Sequence, residues 1–144
     1  MAKTRLMEGL APLVYLDANV LIYLVEAEPA HRTLVEQQLK ALETQGARFM
    51  SSELTLTEVL VHPLRTGNDK LVKIYEALFA GFVQAEPISR QVHLLAAQQR
   101  ADTPSRRMPD AIHIATALLA GAGLFVTGDK GIKGLPAALE LITL

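Results

Sequence analysis

Two rhythms of apolar residues alternate along the chain. Short, mainly apolar runs at Leu13–Leu16, Arg48–Ser51, Gly81–Gln84 and Leu124–Thr127 have strand length. Runs with little polar alternation predict strands covered on both faces, the habit of a buried parallel sheet. Between them, helical spacing predicts helices over Asn19–Ala27, Ala30–Gln45, Glu53–His62, Asp69–Ala80, Ser89–Ala101 and Asp110–Ala120. In the second of these, Leu34, Val35, Leu39 and Leu42 share a face. Pro29, Pro63, Gly67, Pro104, Pro109, Gly121 and Gly123 are expected between elements, where they end or start helices without breaking one. Strands alternating with helices predict an α/β domain, and no repeat or linker divides residues 1–144.

Composition narrows the picture. With 144 residues, 50% of them apolar, the chain suffices for one globular core and one site. Its 14 Lys+Arg against 15 Asp+Glu leave a net charge of −1, so no global positive field draws in a polyanion. A nucleic-acid partner must therefore be held by local patches or by metal. The absence of cysteine excludes disulfides, thiolate catalysis and Cys-based zinc sites, and it agrees with a reducing compartment. The apolar run near the N-terminus is short and ends in a charge, unlike the core of a signal peptide. Ala111–Val126 contains His113 and Thr116 and is broken by Gly121 and Gly123, so it reads as a buried helix and a strand, not a membrane span. A cytoplasmic protein without membrane contact is expected.

Four acids carry the candidate chemistry, and each has a plain structural reading beside the functional one. Asp17 follows the first strand, at the edge where open parallel sheets bind ligands, and it can equally cap the next helix, as can Asn19. Asp129 sits in the turn Gly128-Asp129-Lys130-Gly131 after the last apolar run, where a turn aspartate is ordinary. Glu58 lies among apolar neighbours and needs a partner, or it closes a capping box with Thr55 at a helix start. Asp110 follows Pro109 in the first turn of a helix, where its charge also suits the helix dipole. His113 shares that helix face and suits either a supporting role beside a metal or a satisfied place in the core.

Convergence separates the two readings. A parallel sheet brings strand ends and helix starts to one edge, so all four acids can meet there. Clustered carboxylates repel, and a divalent cation relieves the repulsion. Mg²⁺ or Mn²⁺ fits an all-oxygen donor set and leaves room for substrate phosphate. Such an ion supplies an acidified water and neutralises the phosphate, so no side-chain nucleophile is required.

The segments Val14-Tyr15-Leu16-Asp17-Ala18-Asn19-Val20-Leu21-Ile22, Thr55-x-x-Glu58, Pro109-Asp110-Ala111-Ile112-His113-Ile114-Ala115 and Val126-Thr127-Gly128-Asp129 together resemble the PIN-domain ribonucleases, and among them the VapC-type toxins. The likeness runs in matching order from about Val14 to Leu144; each motif is weak, and the set is specific. It implies a three-layer α/β sandwich with a mostly parallel central sheet and Mg²⁺- or Mn²⁺-dependent endonucleolytic cleavage of RNA. Asp17, Glu58, Asp110 and Asp129 would be the catalytic and metal-ligating acids, with Asn19 and Thr127 as polar supports. It also implies a homodimer and a small antitoxin seated in an apolar groove on the early helices, for which Val20, Leu21, Tyr23, Leu24, Leu34 and Leu39 are candidates. Ile132 departs from the aromatic of many relatives, and no further acid closely follows Asp129.

RNA would also need cations. Arg100, Arg106 and Arg107 before the Asp110 helix, with Lys130 and Lys133 after the last apolar run, flank the expected edge, although solvated loops carry such residues too. Two other classes remain open. A haloacid-dehalogenase-like phosphatase also places an aspartate after its first strand, but Asn19 stands where its second acid belongs. A catalytically weak module that only grips RNA or a partner is the non-enzyme reading.

Overall fold

The computed structural model describes residues 12–144, so the reading of the N-terminal segment lies outside the described residues. Among the described residues there are five strands: β1 (Leu13–Leu16), β2 (Arg48–Ser52), β3 (Val83–Glu86), β4 (Leu124–Thr127) and β5 (Glu140–Thr143). They form one sheet of order β3-β2-β1-β4-β5, with every neighbouring pair parallel. The α-helices are α1 (Ala18–Glu26), α2 (Pro29–Thr44), α3 (Glu53–Arg65), α4 (Asp69–Ala77), α5 (Arg90–Asp102) and α6 (Met108–Ala120).

Alternation along β1 divides the core between the two faces of the sheet. Val14 and Leu16 point to one face and pack with Val20 and Leu21 of α1, Val35 and Leu39 of α2, and Val59 of α3. Tyr15 points to the other, with Met50, Phe125 and the α6 residues Ile114 and Ala117. Helices on both faces of a fully parallel sheet make the three-layer α/β sandwich that the sequence implied.

Several boundaries differ from expectation. Helix α4 runs into a π-helical turn at Leu78–Phe82, which moves the third strand to Val83–Glu86. Gly81-Phe82 imitates a strand start, yet only from Val83 onward do residues pair with β2. Pro63 lies buried inside α3 and does not end it, although it withholds the amide that would donate to the Val59 carbonyl, and the helix runs on to Arg65. Strand β5 was not expected: its four residues are half-buried or exposed at the sheet edge, too short and mixed to register as a pattern.

The topology fixes where a site can form. From β1 the chain builds outward to β2 and β3 on one side, then returns to β4 and β5 on the other. The strand order therefore reverses beside β1, and the crevice at the carboxyl ends of β1 and β4 is where such sheets bind ligands.

Candidate active site

Asp17 is the residue after β1, and its amide continues the ladder by donating to the Val126 carbonyl at 2.9 Å. Its side chain caps α1, with Oδ1 accepting from the Ala18 amide at 2.8 Å. The other oxygen accepts from Thr127 Oγ1 at 2.8 Å. Thr127 Oγ1 accepts in turn from the Asp129 amide at 3.0 Å, and Asn19 Oδ1 accepts from the Gly128 amide at 2.7 Å. Asn19 and Thr127 thus lash the end of β1 to the turn after β4. Cap and candidate ligand are the same residue, so the two readings of Asp17 do not compete.

Glu58 is not part of a capping box. The N-cap of α3 is Ser52, whose Oγ accepts from the Leu54 amide at 3.0 Å, while Thr55 is buried against Ser51, 2.6 Å between hydroxyls. Glu58 falls in the second turn, and its Oε1 lies 2.7 Å from His113 Nε2. The same nitrogen is 3.7 Å from Asp17 Oδ1.

Asp110 and Asp129 form a second pair, bridged by Arg107. Its Nε is 3.1 Å from Asp110 Oδ2, and its Nη2 is 3.1 Å from Asp129 Oδ2. Asp110 occupies the first turn of α6, and Asp129 Oδ1 also accepts from the Gly131 amide at 2.8 Å, an Asx turn. The four acids come to one edge as two bridged pairs, and among the described residues no three His, Asp or Glu are already gathered as a metal cluster.

Electrostatics distinguish Asp17 from the rest. At 5% exposure, burial pushes its carboxyl above the ordinary carboxylate range, while His113, Thr127 and the Ala18 amide pull it partly back and the nearby Glu58 adds to the rise. Arg107 is held more firmly protonated by its hydrogen bond to Asp110, with Asp129 and Asp17 adding to the effect. The donor set fits a divalent cation: all four acids offer hard oxygens, a cation offsets the penalty on Asp17, and a guanidinium already bridges Asp110 and Asp129.

Beside the acids lies a cleft of about 450 Å³, lined among others by Arg106, Arg107, Asp110, Asp129, Ile132 and Lys133. Of the cations singled out in the sequence, Arg107 and Lys133 stand there with Arg106, whose Nη2 holds the Lys133 carbonyl at 3.1 Å. Arg100 instead donates from Nε to the Arg106 carbonyl at 3.0 Å and shapes the loop, and Lys130 is exposed outside the lining. Of the expected groove residues, Val20, Leu21 and Leu39 are core, whereas Leu34 is 59% exposed. A second groove of about 290 Å³ is lined by Leu24, Leu39, Leu78, Phe82 and the charged residues around them.

Tyr15 was missed. It is fully buried in β1, and its hydroxyl lies 2.5 Å from His113 Nδ1. Its one sequence signal is a phenol inside an otherwise aliphatic strand.

A parallel α/β domain with acids converging on the reversal point of its sheet is the class of protein that fold and site define. The PIN domain profile matches residues 14–137, and the chain belongs to that family. Among curated proteins no sequence matches. Solved structures share the fold. VapBC2 from Rickettsia felis, bound to a DNA fragment from its promoter, aligns with a TM-score of 0.74 at 16% identity over 91% of this chain and 98% of that one. A toxin–antitoxin complex from Klebsiella pneumoniae gives 0.63 at 21% identity over 88% and 98%. VapC20 from Mycobacterium tuberculosis, a sarcin-ricin loop cleaving toxin, gives 0.64 at 16% identity over 78% and 86%. The fold is thus VapC-like. No helix of the described residues is long and apolar enough to cross a membrane.

Proposed function

We propose that the chain is one PIN-like nuclease domain over residues 1–144, an endoribonuclease dependent on Mg²⁺ or Mn²⁺ and the toxin of a toxin–antitoxin pair. One observation carries the reading: acids from four separate elements converge beside a cleft, and each pair is bridged by a nitrogen donor, His113 or Arg107. A place where carboxylates gather around hydrogen-bond donors suits a cation.

Asp17, Glu58, Asp110 and Asp129 would hold the metal. When bound, a divalent cation supplies charge neutralisation at the phosphodiester and an acidified water for attack. The chain's own residues do the rest. Thr127 and the Ala18 amide fix the Asp17 carboxylate, and Asn19 fixes the turn that carries Asp129. Arg107 and Lys133 at the cleft offer contacts to RNA phosphates.

The toxin role, with a small antitoxin and a homodimer in the cytoplasm, is supported by the VapC-like fold and the toxin–antitoxin complexes among its structural neighbours. The phosphatase alternative is disfavoured by Asn19, whose amide oxygen is committed to the Gly128 amide and which cannot deliver a proton to a leaving group.

The test is cleavage of labelled RNA by wild type and Asp17→Asn, with Mg²⁺ and with EDTA. Cleavage by wild type with metal alone is expected, the variant being slower by about a hundredfold or more. Equal cleavage in all four reactions would overturn the proposal.

A further inference from the structure

Beneath the acids lies a hydrogen-bonded pair of which the reading above uses only the Nε2 side of His113. Tyr15 in β1 and His113 in α6 are separated by 98 residues in the chain, and both are almost completely buried. The Tyr15 ring stacks on Phe125, centroids 5.0 Å apart and planes at 8°, and meets the imidazole edge-on at 5.8 Å. A core needs neither polar group there; a leucine or phenylalanine would fill the space without two polar atoms to satisfy.

The two imidazole nitrogens have different tasks. Nε2 faces Glu58 Oε1 at 2.7 Å and Asp17 Oδ1 at 3.7 Å, so it holds Glu58 only in the tautomer that places the proton there. In the neutral ring Nδ1 is then bare and takes the phenol O–H at 2.5 Å. Burial keeps the phenol protonated by pushing its pKa far above the ordinary value. Nearby hydroxyls can be satisfied elsewhere, with Ser51 donating to the Leu16 carbonyl at 2.7 Å and Thr55 within 2.6 Å of Ser51.

We propose that Tyr15 and His113 are a buried positioning pair: the phenol fixes the imidazole tautomer, and the imidazole Nε2–H holds the Glu58 carboxylate beside Asp17. Glu58 is the acid that most needs this. It sits on α3, with a side chain 32% exposed and, among the described residues, no hydrogen-bond partner other than His113. Asp17, by contrast, is held by Thr127 and its own helix. Neither residue lines the cleft, so the pair acts through Glu58. This inference rests on the proposal that Glu58 and Asp17 serve a divalent cation.

Two readouts test it. In ¹⁵N NMR of the metal-free protein, His113 is expected to show Nε2 protonated and Nδ1 bare. Tyr15→Phe, which removes one oxygen and keeps the ring stack, is expected to lose that tautomer preference. Mn²⁺ binding, followed by calorimetry, is expected to weaken about tenfold in Tyr15→Phe and further in His113→Ala, with partial recovery in His113→Gln, whose amide can still donate to Glu58. A wild-type ring with Nδ1 protonated and Nε2 bare would overturn the pair even if no variant folded. So would a folded Tyr15→Phe that keeps the wild-type tautomer and Mn²⁺ affinity. Wild-type protein that binds no Mn²⁺ would overturn the metal-site proposal instead, with the tautomer measurement still deciding the pair's geometry.

Discussion

Burial takes Asp17 nearly out of water, and its charge is opposed by that burial more than His113, Thr127 and the Ala18 amide favour it. Its folded pKa is raised, so the folded chain binds a proton more tightly than the unfolded one. Its contribution to stability is therefore complete below the unfolded carboxylate pKa and is lost as pH rises through the folded value. In EDTA, thermal denaturation across that window should show a decline for wild type that Asp17→Asn flattens; an equal decline in both would mean that Asp17 is not its source. Arg107 makes the complementary case. Its side chain is 69% exposed, so its bridges to Asp110 and Asp129 should add little to stability, and Arg107→Ala should leave denaturation unchanged. Because the guanidinium occupies the space between two proposed ligands, the same variant should bind Mn²⁺ about twofold to fivefold more tightly. It should also bind RNA more weakly, with a salt slope smaller by about one. Weaker Mn²⁺ binding would instead make Arg107 a support of the acids.

The turn after β4 shows how an element holds a residue in place. A Cβ on Gly128 would come within 2.9 Å of the Tyr23 Cζ and hydroxyl, and the Gly128 amide is the one that Asn19 accepts from. Gly128→Ala should push Tyr23 aside and loosen the strap between Asp17 and Asp129, costing about 1–3 kcal/mol in urea denaturation. An unchanged midpoint would show that Tyr23 yields freely. Elements buried on both faces were the legible ones. β1 and β4 stand out as apolar runs, and α6 begins at the Pro-Asp pair and ends at Gly121, whose φ of 79° favours glycine. What escaped was decided by tertiary pairing. β5 exists because its backbone completes β4, not because of its own pattern. Thr55 and Glu58 have capping-box spacing, but Ser52 stands three residues earlier and takes the cap.

Over the whole molecule, the candidate acids were legible because each stands beside a local landmark: a strand end, a proline, a glycine turn. Their grouping into two bridged pairs was not. It depends on α6 bringing His113 and Asp110 to opposite pairs from one helix, and on Arg107 folding back over its own N-terminus. The Tyr15–His113 contact is further still from any local signal, since it joins the first strand to the last helix. The reversal of strand order beside β1 explains why such distant segments meet at one edge. The metal site proposed for that edge draws on all four acids. The most direct measurement is calorimetric titration of Mn²⁺ into wild type and into Asp17→Asn, Glu58→Gln, Asp110→Asn and Asp129→Asn, with folding checked by circular dichroism. The expected result is saturable binding by wild type and affinity lowered about tenfold or more in every folded variant. Wild-type affinity in all four folded variants would contradict a shared site at the sheet's carboxyl edge.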